Sequence, residues 1–181
     1  MIHILPDGNK LILRAVEPED IDDLLMIEND PEIWAISNTR APYSRFQIEQ
    51  YVFNAPNEIQ TNHQLRLVAG YSGENLGTIT IGVLDFFDVD LINRRAGIGI
   101  LIRNEFRNKG FARILLEMTV NYSFNVLNLH QLHCSISSDN AASLHLFEHA
   151  GFIECGLRKE WILKNGRWTD EKLYQLMNEE N

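Results

Sequence analysis

The run IRNEFRNKGFARILLEM, residues 102–118, joins the end of an apolar, strand-like stretch to the start of a helix-like one, with Gly110 at the junction. Four cations, Arg103, Arg107, Lys109 and Arg113, gather around it, although the chain as a whole carries a net charge of −9. A helix start presents backbone N–H groups that lack an intrahelical partner, together with the positive end of the helix dipole. A glycine there lets the backbone approach a ligand closely. Arg adds a fork that matches phosphate, and Lys adds a point charge. The junction therefore reads either as an ordinary basic helix start or as an anion site that would suit a pyrophosphate.

The segments on either side set the fold class. LILRAV (11–16) reads as a strand, and EPEDIDDLLMIEND as a helix with Pro18 near its first position and acids in its first turn. Ser44 can cap a second helix in YSRFQIEQYVF. HQLRLVAGY (63–71) and LGTITIGVL (76–84) read as strands joined by the turn SGEN. There follow a strand ending near Ile102, a helix over 111–127 and the strand QLHCSIS (131–137). A further helix lies between Asp139 or Asn140 and Gly151, and a final hairpin turns at Asn165-Gly166, a pair suited to a type I′ turn. This β-α-α-β-β-β-α-β-α-β-β order predicts a mixed sheet with helices packed on it, in the α+β or α/β class. The length of 181 residues, without repeats or linkers, suits a single domain over 1–181.

Charge and composition narrow the function. An acidic chain is a poor general binder of nucleic acid or anionic membrane. Its two cysteines form no CxxC, so a reducing compartment and no disulfide framework are expected. No apolar run reaches membrane-spanning length and no signal peptide is evident, so the expected location is cytoplasmic. There is no GxxxxGK[ST], and GIGILI (97–102) lacks the third glycine of a dinucleotide site. His145 and His149 stand one helical turn apart with no third ligand evident, so no metal is expected.

The stretch RNKGFA matches the [Q/R]-x-x-G-x-[G/A] signature of the GCN5-related N-acetyltransferases, with Arg107, Gly110 and Ala112 at its fixed positions. Within residues 93–156, LNLHQL, DNAAS and AGF follow in family order. The chain resembles the branch that holds spermidine/diamine and ribosomal-protein N-terminal acetyltransferases. That resemblance implies a twisted mixed sheet splayed open between its fourth and fifth strands, with helices on both faces. It implies acetyl-CoA as co-substrate, its pyrophosphate wrapped by Arg107, Asn108, Lys109, Gly110, Phe111 and Ala112. Ile100, Leu101 and Ile102 would line the pantetheine arm, and Asn140, Ser143 and Phe147 would face it from the other side.

Acetyl transfer to an amine needs the ammonium deprotonated, the oxyanion stabilised and the departing thiolate protonated. Many relatives place a tyrosine acid where Phe147 stands and a glutamate base where Gly97 stands. In the ribosomal-protein branch a serine and a glutamate fill these roles, matching Ser143 and Glu160. The other readings are that Ser143 caps a helix and that Glu160 faces solvent. The acidic loop LDFFDVDLIN carries Asp85 and Asp88, which together with Trp34 and Tyr43 form the candidate acceptor side; the other readings are a solvated loop and core aromatics. Polyamine relatives carry an acidic pair before a Pro-Tyr, where this chain has Arg40 and Ala41. The expected acceptor is a small primary amine such as a polyamine or diamine. A protein N-terminus and a non-catalytic acetyl-CoA sensor are the alternatives, and a homodimer is expected from the last strands.

Overall fold

A computed structural model describes residues 1–37, 41–54, 59, 63–73, 77–164 and 166–179. Arg40, Asn165 and the turn residues Glu74 and Asn75 lie outside the described residues. Among these residues eight strands form one sheet: β1 (Ile2–Ile4), β2 (Lys10–Ala15), β3 (Leu65–Ser72), β4 (Ile79–Asp90), β5 (Arg95–Ile102), β6 (Gln131–Ser137), β7 (Ile153–Lys164) and β8 (Arg167–Met177). Their spatial order is β1-β2-β3-β4-β5-β6-β8-β7. The helices are α1 (Ile21–Glu28), α2 (Pro31–Ser37), α3 (Arg45–Asn54), α4 (Phe111–Asn125) and α5 (Ala141–His149).

Neighbouring strands run antiparallel except β5 and β6. Those two share only the rungs Arg95↔Gln131, Ala96↔Leu132 and Gly97↔His133. Beyond Gly97 both strands continue, to Ile102 and Ser137, without pairing. The sheet opens there, between the fourth and fifth strands counted from the sequence, as expected. The crossover from β5 through α4 to β6 is what makes the pair parallel.

Side chains alternate across the sheet and give it two cores. Leu84, Phe86 and Ile98 pack with Leu115 and Leu116 of α4 on one face. Val83 packs with Ile21, Leu24 and Ile27 of α1 and Ile48 of α3 on the other. The α1 end is fixed by Asp20, which accepts two hydrogen bonds from Arg14 at 2.6 and 2.7 Å and one from the Glu17 N–H at 2.8 Å.

Three expectations are corrected. A first strand, β1, adds an exposed edge that shows no periodicity. A separate helix, α2, follows the expected one, because Asp30 receives the Glu32 N–H at 2.9 Å and Pro31 opens a new turn. The segment read as an acidic loop is strand as far as Asp90, because β4 runs on beyond Leu84 and Asp85 is neutralised from β3. Between Phe87↔Gly97 and Asp90↔Arg95 the register shifts, and Asp88 takes φ +48° in this bulge.

Candidate active site

The turn after β5 has the form that anion binding requires. Gly110 takes φ +77°, and no side chain among the described residues caps α4. Asn108 is also left-handed, at φ +59°. The space that a Cβ on Gly110 would fill is open to 4 Å. The first N–H groups of a fifteen-residue helix therefore face outward at an exposed turn.

The surrounding cations are less free than their number suggests. Arg103 bonds to the Thr80 carbonyl at 2.8 Å and pairs with Asp23 and Glu105. Arg113 pairs with Glu117 at 2.9 Å. Arg107 donates through Nε to the Ile102 carbonyl at 2.8 Å, tying the turn to the end of β5. Lys109 lies over the Phe106 ring at 5.2 Å. Phe111 stacks on Tyr71 and Ala112 is half-buried, so these two fix the helix start to the sheet.

Across the gap, Asn140 opens α5 and accepts the Ser143 N–H at 3.1 Å. The cap is thus Asn140; Asp139 instead meets Ser137 and Lys164. Ser143 is half-buried, and its hydroxyl is separate from that cap. Ser138, where β6 leads into α5, keeps a buried hydroxyl oxygen with no hydrogen-bond partner among the described residues. Phe147 is 4% exposed and packs edge-on against Phe152, 5.1 Å between centroids. Ile100 and Leu101 are half-buried on the opened part of β5, and Ile102 is buried.

On the opposite side of the sheet lies a cleft of about 390 Å³ between α1, α3 and strands β3–β4. Of its polar centre only Asp85 was anticipated. Arg66 reaches Asp85 through Nε at 2.6 Å and through Nη2 at 2.8 Å, and Glu28 through Nη1 at 2.5 Å. Burial alone would lower the Arg66 pKa, but the bonds and charges of Asp85 and Glu28 outweigh it and hold the guanidinium above its ordinary value. Tyr51 lines the same space with its hydroxyl pKa raised, first by burial. Tyr43 lines the cleft too, held by Asn29 on both its N–H and its carbonyl. The visible signal for Arg66 was a charge inside the apolar strand LRLVAG.

The other expected residues scatter. Asp85 stands in the cleft, whereas Asp88 sits exposed on the bulge, outside the cleft lining. Trp34 donates its indole N–H to the Glu28 carbonyl at 2.8 Å and closes the end of α1. Glu160 lies exposed on β7, the outermost strand, with φ +49° and its N–H bound to Asp170 at 2.8 Å. No hydrogen bond or ion pair joins it to Ser143 among the described residues. Nor do these residues include any group of three or more His, Cys, Asp or Glu that could hold a metal ion. No helix among them is long and apolar enough to cross a membrane.

A sheet parted between two parallel strands, with a helix start suited to an anion on one side and an acid-lined cleft on the other, offers separate places for an anionic and a cationic partner. A family profile described as the acetyltransferase (GNAT) domain matches residues 10–153. The spermidine N(1)-acetyltransferase of Vibrio cholerae is 32% identical over 165 residues, covering 91% of each chain. The crystal structure of spermidine N-acetyltransferase from Vibrio cholerae with CoA and spermine superposes with a TM-score of 0.80. It is 30% identical and covers 92% of this chain and 95% of its own. A dodecameric structure of that enzyme gives a TM-score of 0.73 at 30% identity, covering 92% and 93%. The chain belongs to the GNAT acetyltransferase family. It is an acetyl-CoA-dependent N-acetyltransferase.

Proposed function

We propose that this enzyme acetylates a primary amine of a polyamine such as spermidine or spermine, working in the cytoplasm as a single domain over 1–181. The observation that carries the reading is the cleft centre, where Glu28 and Asp85 together outweigh the one charge of Arg66. A cleft with a net negative centre attracts a polycation, and its described lining gives a carboxylate-bearing acceptor no unpaired cation to meet. The similarity to spermidine acetyltransferases supports the same acceptor class.

The N–H groups of the Asn108–Ala112 turn, with Lys109 beside them, are suited to hold the coenzyme's pyrophosphate. The opened edge of β5 at Ile100–Ile102, the Ser138 hydroxyl and Asn140 are suited to hold its arm. When bound, acetyl-CoA supplies the activated acyl carbon and a thiolate leaving group. We assign Ser143, at the start of α5, to protonate or hydrogen-bond that sulfur, since Phe147 has no proton to give. Glu160 lies two strands beyond β6, so the amine's proton needs a nearer acceptor.

The exposed Ile153, Leu157, Trp161 and Leu163 of edge strand β7 fit burial against a second copy, and so a homodimer or larger assembly.

The test is a thiol-release assay with acetyl-CoA against spermine, spermidine, putrescine, free amino acids and short peptides. Release with the polyamines above all others is the expected result. Preference for amino acids or peptide N-termini overturns the acceptor assignment. Light scattering should show an assembly, and a monomer at micromolar concentration refutes that part.

A further inference from the structure

Several features meet at the last rung joining β5 to β6. Gly97 and His133 are partners there, and beyond them the strands part. Phe87, which lines the acceptor cleft, lies over Gly97. His133 meets the same ring edge-on, 5.8 Å between centroids. Gly97, Phe87 and His133 are register partners and so share one face of the sheet, the face of the cleft. The imidazole therefore stands at the head of the opening, beside the cleft.

This rung is where the reaction should occur. The anion turn follows the far end of β5, and from Ile102 back to Gly97 is roughly 17 Å of strand at about 3.3 Å per residue. An extended pantetheine arm spans such a length. An acyl donor held at Gly110 and laid back along β5 has its thioester at the Gly97–His133 end. Position 97 itself offers no side chain.

Resting on the acetyl-transfer reading above, we propose that His133 is the general base that takes the acceptor ammonium's proton. The ammonium gives one proton to the unprotonated ring nitrogen and becomes a neutral amine. The amine nitrogen bonds to the acetyl carbon and the carbon–sulfur bond breaks. The second proton leaves nitrogen for the departing sulfur through the Ser143 hydroxyl, which gives one proton and takes one. The imidazolium returns its proton to water, so the products are the amide, the thiol and one released proton.

The electrostatic setting suits a base at neutral pH. Burial lowers the His133 pKa from its ordinary 6.5; Asp88 on the β4 bulge opposes this, and Arg95 on β5 reinforces it. From β8 the register partner is Gln175, which carries no charge. An unprotonated imidazole is what a general base must offer at the start of each turnover.

The test uses the full chain with acetyl-CoA and spermine. His133→Gln should lower kcat/KM by about 100-fold or more and abolish the acid limb of its pH profile. Coenzyme binding by calorimetry should stay unchanged. His133→Ala should regain rate on addition of imidazole. In the unliganded protein, histidine NMR should show a midpoint below 6.5 for the signal that His133→Gln and His133→Asn both delete. If the unmodified protein turns over spermine while His133→Gln keeps its rate and acid limb, the base assignment is overturned and the transferase reading stands. An NMR midpoint that does not coincide with the acid limb of kcat/KM, or no imidazole rescue, also overturns it. Absence of transfer to any amine by the unmodified protein overturns both.

Discussion

Cε2 of Phe87 lies 2.2 Å from the point where a Cβ on Gly97 would sit. Ring and glycine are therefore one unit: the ring covers the strand only because residue 97 has no side chain. Gly97→Ala should destabilise the protein by about 1–3 kcal/mol through overpacking. In Phe87→Ala/Gly97→Ala the two costs should fall short of additive by about 1 kcal/mol, since the smaller residue at 87 admits the methyl. Urea unfolding of the four proteins in the cycle measures this coupling. Strict additivity means that the ring does not set the size limit at residue 97.

The turn after β5 makes a second prediction. At φ +77° Gly110 lies in a region that costs an L-residue about 1–2 kcal/mol. Gly110→Ala should lose that much stability, and it should also bind CoA more weakly, because the turn must shift to relieve the strain. Arg107→Ala frees the Ile102 carbonyl and loosens the same turn, so CoA binding should weaken about tenfold, equal to loss of one hydrogen bond of about 1.4 kcal/mol. Titration calorimetry with CoA reads both. Native affinity in the two variants refutes this turn as the coenzyme's anchor.

Stability should depend on Asp20 in acid. The carboxylate is 2% exposed. Burial pushes its pKa up, but the bonds from Arg14 and from the Glu17 N–H outweigh this, and the net shift is below the ordinary 3.8. A folded pKa below the unfolded one means stabilisation that is complete above about 3.8 and lost as pH falls through the folded value. Asp20→Asn should cost about 1–2 kcal/mol at neutral pH, because it removes the charge that the partly exposed Arg14 pairs with. That deficit should hold steady from pH 8 to about pH 5 and narrow only below about 3.8. Thermal unfolding of both proteins across this range checks the sign.

Legibility in the sequence followed the range of the signal. The strand ending at Ile102, α4, β6 and the Asn140 cap rest on local periodicity and capping, which a single segment displays. β1 has three exposed residues and no pattern to read. The end of α1 was legible near Asp30-Pro31, but the seven residues of α2 are too few to show a helical period. The extension of β4 through Asp85 depends on Arg66 from another strand, and the cation-rich turn is thinned by Asp23 and Glu105 bonding Arg103. His133 sits in the strand QLHCSIS with nothing local to single it out. Its surroundings are assembled by β4 and β5 from distant sequence.

Those surroundings give the last prediction. Asp88 and Arg95 act on His133 with opposite signs, the carboxylate favouring the imidazolium and the guanidinium opposing it. Asp88→Asn removes the favourable charge, so the His133 midpoint should fall further, and Asn tolerates the φ of +48° at that bulge. Arg95→Gln removes the unfavourable charge, so the midpoint should rise toward 6.5. Because both groups are close to solvent, each shift should be a few tenths of a pH unit and should shrink in high salt. Histidine NMR titrations of the unliganded variants measure the shifts, and the acid limb of kcat/KM with spermine should move the same way. Opposite movements in NMR with a stationary acid limb would show that His133 senses these charges but that another group takes the proton.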